Sequence, residues 1–297
     1  MDQSASRTAT VVTLWRAIES ARSASVRLFE DPLAPAFLPR RFRWALGLSR
    51  LPVIGAAVPW SLVDGHWAGP RGTVAVRTRY IDERLGEALD RGVAQVVILG
   101  AGFDSRAYRI PAIARARVFE VDHPLTQAEK RRRLARRFGA LPAHVTLVPV
   151  DFTTDTLEAA LSRSHYRVDA GTFFILEGVT HYLPAEAVDV LFRYVARSAA
   201  AGSQMVFTYI HRGILDGSAR FAGADRTLAS VRQVGEPYTF GFDPAELPAY
   251  AAARGLRLLE DVGAPEFCAR YLAPRGRDRE PLTEFQRAAL VEVVGPG

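Results

Sequence analysis

The chain is 297 residues long, 48% of them hydrophobic, and its 38 basic and 32 acidic side chains give a formal net charge of +6. A chain of this size and composition can bury one large core or two small ones, so we expect a globular protein. The single cysteine, Cys268, excludes a disulfide framework and a cysteine-based metal cluster. The histidines show no metal-binding spacing, and neither a serine-hydrolase elbow nor a P-loop is present, so no metal is expected.

The N-terminal quarter of the chain has a different pattern from the rest. It shows no basic segment followed by an apolar one, so a cytoplasmic location is expected. Residues 6–29 predict an amphipathic helix, and residues 31–70 are rich in proline, tryptophan and arginine. We interpret residues 1–72 as a helical cap or lid, hinged at residues 70–72, and residues 73–297 as the core.

Large aromatic side chains are concentrated in the cap, where all four tryptophans lie. We expect residues 31–70 to roof a ligand pocket and to exclude water when the ligand binds. Alternatively, the aromatic rings only anchor the cap to the core. The apolar stretch 51–63 is too short, and too interrupted by proline and glycine, to span a membrane. The aromatic residues of the cap are Trp15, Phe29, Phe37, Trp44, Trp60 and Trp67.

From residue 94 onwards, short apolar runs alternate with longer helical patterns. This alternation predicts an α/β fold with a doubly wound parallel sheet that is covered by helices on both faces. A helix and a strand in residues 241–263, followed by a last strand in residues 266–274, predict an antiparallel hairpin at the C-terminal end. The five preceding strands are expected to end at Leu99, Val121, Val150, Glu177 and Tyr209.

The loop after the first predicted strand contains two glycines, Gly100 and Gly102, and then Asp104. A dinucleotide-binding loop would place a third small residue so that a helix N-terminus faces a pyrophosphate. A carboxylate beside the turn would repel a diphosphate and suits a cationic ligand, such as an α-amino group or a sulfonium. A tight turn without any ligand explains the two glycines equally well.

Carboxylates recur at the ends of the next three predicted strands. Glu120 and Asp122 follow the glycines by about twenty residues, where a dinucleotide-binding fold places a carboxylate on the ribose hydroxyls. Asp151 follows the third strand and Glu177 closes the fourth. Each acid taken alone is compatible with a helix N-cap or a solvated loop. Together they are expected to border one crevice, because the carboxyl ends of parallel strands lie at one edge of the sheet.

The densest basic patch is the run Lys130–Arg137, which reads KRRRLARR. It lies in a helical pattern without interleaved aromatic residues. We therefore favour a solvated helix face over a nucleic-acid site.

Several long motifs in collinear order resemble one family. They are SRTATVVTLWRAIES and LFEDPLA in the cap, then VRTRYIDERL, LGAGFDSRAYR, FEVDHPLTQAEK, VPVDF, LEGVTHYL and RYLAP. With them the chain resembles the class I S-adenosylmethionine-dependent methyltransferases of the leucine carboxyl methyltransferase type, including bacterial relatives near polyketide gene clusters. The resemblance covers most of the chain and implies a Rossmann-like methyltransferase sheet with S-adenosyl-L-methionine as cofactor.

The resemblance also implies roles for individual residues. Arg77 would clamp the carboxylate of the cofactor's methionine part, and Gly100 and Gly102 would line its backbone. Asp122 would hold the ribose, with Glu120 as a close rival. These roles agree with the chemistry of the groups, since a guanidinium donates two parallel hydrogen bonds to a carboxylate and a carboxylate accepts hydrogen bonds from the hydroxyls of a diol.

Three further positions are assigned in the same way. Asp151 would accept from the adenine amine while Phe152 packs on the adenine ring. Glu177 would lie near the methionine amino group or the methyl-transfer site.

The motif LEGVTHYL carries His181 where relatives commonly have Gln or Met. With Tyr182 and Glu177, His181 is a candidate catalytic residue, either as a general base or as a local hydrogen-bonding group. If the acceptor is a carboxylate, no base is needed, because that nucleophile is already ionised at neutral pH.

The function implied is O-methylation of a small natural product or metabolite, most directly at a carboxylate. A hydroxyl, a phenol or a peptide C-terminus remains an alternative acceptor. Cyclisation or elimination of the cofactor, and cofactor binding without catalysis, are alternatives of other classes. A small-molecule acceptor is the expected partner, without a membrane or nucleic acid, and the sequence makes no prediction of the oligomeric state.

Overall fold

A seven-stranded sheet forms the centre of the computed structural model, which describes residues 7–40, 42–43, 70–151 and 154–295. The strand order is β3-β2-β1-β4-β5-β7-β6. Strands β1 to β5 are parallel, and β7 pairs antiparallel with both β5 and β6. The doubly wound sheet with an antiparallel C-terminal hairpin is therefore confirmed. The strands are β1 (Gln95–Leu99), β2 (Arg117–Asp122), β3 (Val145–Pro149), β4 (Thr172–Leu176), β5 (Gln204–Ile210), β6 (Leu256–Val262) and β7 (Gln286–Val293).

Helices cover both faces of the sheet, and alternate side chains of each central strand enter opposite cores. Val96 and Ile98 pack in the core on one face, together with the helix that carries Tyr80, while Val97 packs in the other core with Phe192. The α-helices are α1 (Arg7–Ser20), α2 (Pro70–Asp90), α3 (Arg106–Arg109), α4 (Pro124–Phe138), α5 (Leu157–Arg163), α6 (Ala185–Arg197), α7 (Gly213–Asp216), α8 (Ala224–Gln233), α9 (Leu247–Ala252) and α10 (Ala264–Phe267).

The last strand predicted, in residues 266–274, is wrong. These residues continue α10 as a π-helical turn, Cys268–Leu272, and a 3-10 turn, Ala273–Arg275. The Glu266 carboxylate accepts from the Gly263 N–H at 2.8 Å and so starts a helix rather than a strand. The closing strand is β7, about twenty residues further along.

The predicted N-terminal helix is shorter than expected, because α1 ends at Ser20 and not near residue 29. Two side chains near its end fold the chain back. The Glu19 carboxylate accepts from the Leu28 N–H at 2.8 Å, and the Ser20 hydroxyl accepts from the Asp31 N–H at 2.9 Å.

The residues predicted to form the hinge, 70–72, lie in the first turn of α2. A Cβ on Gly72 would lie 2.6 Å from the Pro281 carbonyl oxygen, so this turn packs closely on the C-terminal part of the chain. The division into a cap of residues 1–72 and a core stays a prediction. Trp44, Trp60, Trp67 and the stretch 51–63 lie outside the described residues.

The basic run of α4 is only partly a solvated face. Arg131 and Arg132 are exposed, but Lys130 is 1% exposed and its Nζ lies 2.8 Å from the carboxylate of Glu120, which is 0% exposed. The same carboxylate accepts from the Tyr108 hydroxyl at 2.9 Å. Burial raises the pKa of the Glu120 carboxyl, and Lys130 opposes this shift. The ion pair therefore fixes α4 on β2, beneath the strand end that carries Asp122.

Replacing Lys130 by alanine should lower the free energy of unfolding by about 3 kcal/mol, because it leaves the Glu120 carboxylate buried without its counter-charge. Arg131→Ala, an exposed position next to it on α4, is the matched control and should change stability by less than about 0.5 kcal/mol. Urea unfolding followed by circular dichroism measures both. Equal stability of the two variants would contradict the structural role of the ion pair.

Candidate functional site

A cavity of about 600 Å³ opens at the carboxyl ends of β1, β2 and β4. Its floor includes the loop 100–104, Asp122 and Glu177, and its walls include α1, α2 and residues 227–239. This edge of the sheet is where doubly wound folds bind ligands, and the volume suits a small molecule. Of the four carboxylates predicted at the strand ends, Asp122 and Glu177 line this cavity, whereas Glu120 and Asp151 do not.

The glycine pair is required by the backbone of the loop after β1. Gly100 has φ +66°, and a Cβ there would lie 2.5 Å from the Val179 side chain. Gly102 has φ +42°, and its N–H donates to the Asp122 carboxylate. The loop therefore brings bare backbone to the cavity, as expected for close approach to a ligand.

Asp122 and Glu120 occupy different environments although they lie two residues apart on one strand. Asp122 is at the last position of β2, accepts from the His123 N–H at 2.6 Å and lines the cavity. Glu120 is enclosed with Lys130 and Tyr108 behind the cavity wall. Asp122 is still paired in register with Pro149 of β3, but it lines the cavity whereas Glu120 does not, which favours Asp122 over Glu120 for contact with a ligand.

Arg106, at the start of α3, is a fully buried cation that sequence reasoning did not single out as a site residue. Its guanidinium donates to three carboxylates, those of Asp82 at 2.8 Å, Asp104 at 2.5 Å and Glu177 at 2.8 Å. Burial alone would raise the pKa of Asp104, but Arg106 lowers it to about 2. Asp104 lines the cavity in ionised form, yet its carboxylate is already paired with Arg106.

Glu177 connects Arg106 to Arg77. The Arg77 Nε donates to one Glu177 oxygen at 2.8 Å, and Arg106 donates to the other. Burial raises the pKa of Glu177, but the two guanidiniums outweigh burial and keep the net shift downward. The pair of Arg77 and Glu177 therefore places one cation and one anion side by side on the cavity floor.

Arg16 of α1, like Arg77, is a cation that lines the cavity, and the sequence analysis did not single it out. It donates to the Phe103 carbonyl at 2.5 Å, and its Nε lies 3.6 Å from the Asp31 carboxylate. Asp31 also accepts from the Ser105 hydroxyl at 2.7 Å. The N-terminal segment is thus tied to the glycine loop by buried charges. Arg16, Asp31 and Ser105 lie in the motifs WRAIES, LFEDPLA and DSRAYR. The sequence signal for a buried role was a charged side chain, Arg16 or Asp31, among apolar neighbours.

His181, Tyr182 and Tyr238 form an aromatic cluster on the cavity wall. The His181 ring centroid lies 4.4 Å from that of Tyr182 and 4.6 Å from that of Tyr238. The Thr239 N–H donates to the His181 carbonyl at 2.8 Å and holds Tyr238 in this position. Burial, and then the charge of Arg77, lower the pKa of His181 to about 3. Burial raises the pKa of Tyr182, so its phenol stays protonated.

Other predicted residues lie elsewhere. Asp151 follows β3, where its carbonyl accepts from the Thr154 and Asp155 N–H groups at 2.9 and 2.7 Å, and the described lining of the cavity does not include it. Phe152 lies outside the described residues. The adenine roles of both stay predictions.

The aromatic residues of the cap do not share one role. Of the three that the structure describes, Trp15 lines the cavity, whereas Phe29 packs in the main core and Phe37 stacks on Phe103 with centroids 5.5 Å apart.

No helix among the described residues is long and apolar enough to cross a membrane. The described residues also contain no cluster of three or more metal-ligating side chains.

Residues 9–196 match the model of the leucine carboxyl methyltransferase family. The chain belongs to this family. A Frankia alni relative, assigned by name as an S-adenosyl-L-methionine-dependent methyltransferase, is 36% identical over 216 residues, which are 73% of this chain and 71% of that protein. A Mycobacterium avium relative with the same assignment is 39% identical over 187 residues, or 59% of this chain and 58% of that protein. The alignment with the second relative thus spans little more than half of its length.

Two solved structures share the fold over nearly the whole chain. A DUF574 family protein from Streptomyces avermitilis has a TM-score of 0.58 at 12% identity, with 98% of this chain and 99% of that chain covered. A Thermobifida fusca protein assigned as a methyltransferase has a TM-score of 0.57 at 14% identity, with 97% and 94% covered. These likenesses show the fold alone. The relatives confirm the predicted family and its cofactor, S-adenosyl-L-methionine, and support methyl transfer as the class of reaction.

The geometry of the cavity floor fits S-adenosyl-L-methionine. The cofactor's α-carboxylate and α-ammonium groups need a cation and an anion side by side, which Arg77 and Glu177 provide. A ribose diol needs a carboxylate acceptor at the end of β2, where Asp122 lies. Gly100 and Gly102 line the same cavity with backbone alone.

Asp122→Asn should weaken the binding of S-adenosylhomocysteine about tenfold or more, because it removes one acceptor of a charge-assisted hydrogen bond. Glu120→Gln changes the same type of group two residues away and should lower thermal stability while leaving affinity nearly unchanged. Isothermal titration calorimetry and a melting curve of each variant measure both effects. A larger affinity loss in Glu120→Gln than in Asp122→Asn would reverse the assignment of the ribose contact.

Proposed function

We propose that the chain transfers the methyl group of S-adenosyl-L-methionine to a carboxylate oxygen of a small metabolite. Arg77 and Glu177 hold the charged amino-acid end of the cofactor, and Asp122 holds its ribose. The cofactor supplies a methyl group made electrophilic by the sulfonium sulfur. The remaining task of the protein is to align an acceptor oxygen with that methyl group and to keep water away.

Part of the cavity wall supports an acceptor with a largely apolar body. It consists of apolar side chains, with Val11, Val12 and Trp15 from α1, Val231 from α8, and Val234 directly after α8. Such walls stabilise a ligand by removing apolar surface from water. They also strip water from a carboxylate, which makes its oxygen a better nucleophile.

The observation that carries the proposal is the burial of His181 beside Arg77. It is the one imidazole among the described lining residues, and it is 5% exposed. Burial and the nearby guanidinium both disfavour the charged ring, which lowers the pKa of His181 to about 3 and makes it a weak base at neutral pH. A phenol or an alcohol needs a base to remove its proton, whereas a carboxylic acid is already ionised. The cavity therefore favours a carboxylate over a hydroxyl acceptor.

With a panel of carboxylic acids such as octanoic, phenylacetic and benzoic acid, the protein should release S-adenosylhomocysteine and form methyl esters that mild alkali hydrolyses. The matched alcohols and phenols, octanol, phenylethanol and phenol, are the controls and should give no ether. Mass spectrometry of both products decides the outcome. Ether formation at a comparable rate would overturn the carboxylate assignment, and release of methylthioadenosine instead would indicate cyclisation or elimination of the cofactor.

A further inference from the structure

The two ring nitrogens of His181 face different surroundings. Its side chain is 5% exposed, and Nδ1 is buried without a hydrogen-bond partner among the described residues. His181 lines the large cavity and also a second, small cavity of about 10 Å³. Because Nδ1 is enclosed, the ring nitrogen available to a ligand in the large cavity is Nε2.

The small cavity has the size and the lining of a water site. A volume of about 10 Å³ is close to the minimum that holds one water molecule, and such a site needs two to four polar partners. Polar groups surround it on several sides, from Arg77, Thr208, Tyr209, Gln286 and Arg287 as well as His181. A single water molecule there would satisfy the Nδ1 atom.

The charges around the small cavity decide how a water molecule in it is oriented. Arg77 and Arg287 are permanent cations that only donate hydrogen bonds. They attract the water oxygen and turn its hydrogen atoms away from themselves. Nδ1 is then the acceptor for one of these hydrogen atoms, and the imidazole proton resides on Nε2.

We propose that His181 is a neutral hydrogen-bond donor that holds the acceptor's carboxylate, with Nε2–H directed into the large cavity and Nδ1 accepting from a water molecule in the small cavity. The identity of the acceptor rests on the proposed function, whereas the tautomer and the water do not. The Nε2–H group donates to an ionised oxygen of the acceptor. The imidazole lone pair, on Nδ1, then points away from the acceptor. His181 then selects carboxylates and does not act as a base.

The surroundings keep the ring uncharged over the working pH range. Burial and the charge of Arg77 lower the pKa of His181 to about 3. The tyrosines near the ring stay protonated, because burial raises the pKa values of Tyr182, Tyr209 and Tyr238. The charged and titratable side chains around His181 are Arg77 of α2, Glu177 after β4, Tyr182 beside it, Tyr209 of β5, Glu236 and Tyr238 after α8, and Arg287 of β7.

The tautomer can be measured without any acceptor, by nitrogen NMR of protein labelled at histidine with ¹⁵N and saturated with S-adenosylhomocysteine. We expect the His181 resonances to show an unprotonated Nδ1 and a protonated Nε2, unchanged between about pH 8 and about pH 5.5. His181→Phe identifies the resonances by their loss. A proton on Nδ1, or an imidazolium that forms in this pH range, would overturn the proposal.

Two amide variants then test the donor in catalysis. Glutamine places an N–H near the position of Nε2, and asparagine places one near Nδ1. His181→Gln should keep turnover of a carboxylic acid within a few-fold of the native rate, while His181→Asn should lose about ten- to a hundredfold in kcat/KM. Affinity for S-adenosylhomocysteine should be unchanged in both, which shows that they fold. Equal losses in both variants would contradict the donor role, whereas turnover of no acid by the native protein would contradict the proposed function and leave the NMR result standing.

Discussion

The buried guanidinium of Arg106 is the group on which the arrangement of the site depends. It lies among the carboxylates of Asp82, Asp104 and Glu177 and donates to all three. Without it, three like charges would share a small volume of low polarity, where repulsion and the loss of hydration are both costly. With it, the loop after β1, the end of β4 and helix α2 are held in one geometry. The Glu177 oxygen that faces Arg77 is placed by this contact.

The same network joins the N-terminal segment to the loop. Asp31 accepts from Ser105 and lies near Arg16, and Arg109 donates to Asp82 at 2.8 Å. At the other side of α1, the Glu19 carboxylate accepts from two nitrogens of Arg277 at 2.7 and 2.9 Å. Helix α1 is therefore a wall of the cavity that buried ion pairs fix in place.

Much of the fold could be predicted from the sequence, because the spacing of hydrophobic residues and the residue types that favour strands are local signals. The first five strands end within one residue of their predicted ends, and the carboxylate at Asp122 lies where the strand-end argument placed it. The strand predicted at residues 266–274 failed, since a capping contact from Glu266 and a helical spacing of buried residues outweigh its apolar composition. The composition of a short apolar run does not distinguish a helix from a strand.

The site was only partly predictable, because its decisive contacts join residues far apart in the chain. Asp104 was expected to face a cationic ligand, and it lines the cavity, but the sequence analysis did not predict that its carboxylate also accepts from Arg106, two residues further along. Lys130 was interpreted as part of a solvated helix face, but its position on α4 directs its side chain to the buried Glu120. His181 was a candidate base, and its burial beside Arg77 is a tertiary property that the motif LEGVTHYL does not contain.

We propose that the Arg106 network holds Arg77 and Glu177 in place to bind the charged amino-acid end of the cofactor. Calorimetry of the native protein with S-adenosylhomocysteine and with methylthioadenosine, which lacks that end, tests this directly. Since two charge-assisted contacts are lost, we expect methylthioadenosine to bind more weakly by about a hundredfold or more. Equal affinity for the two nucleosides would contradict it.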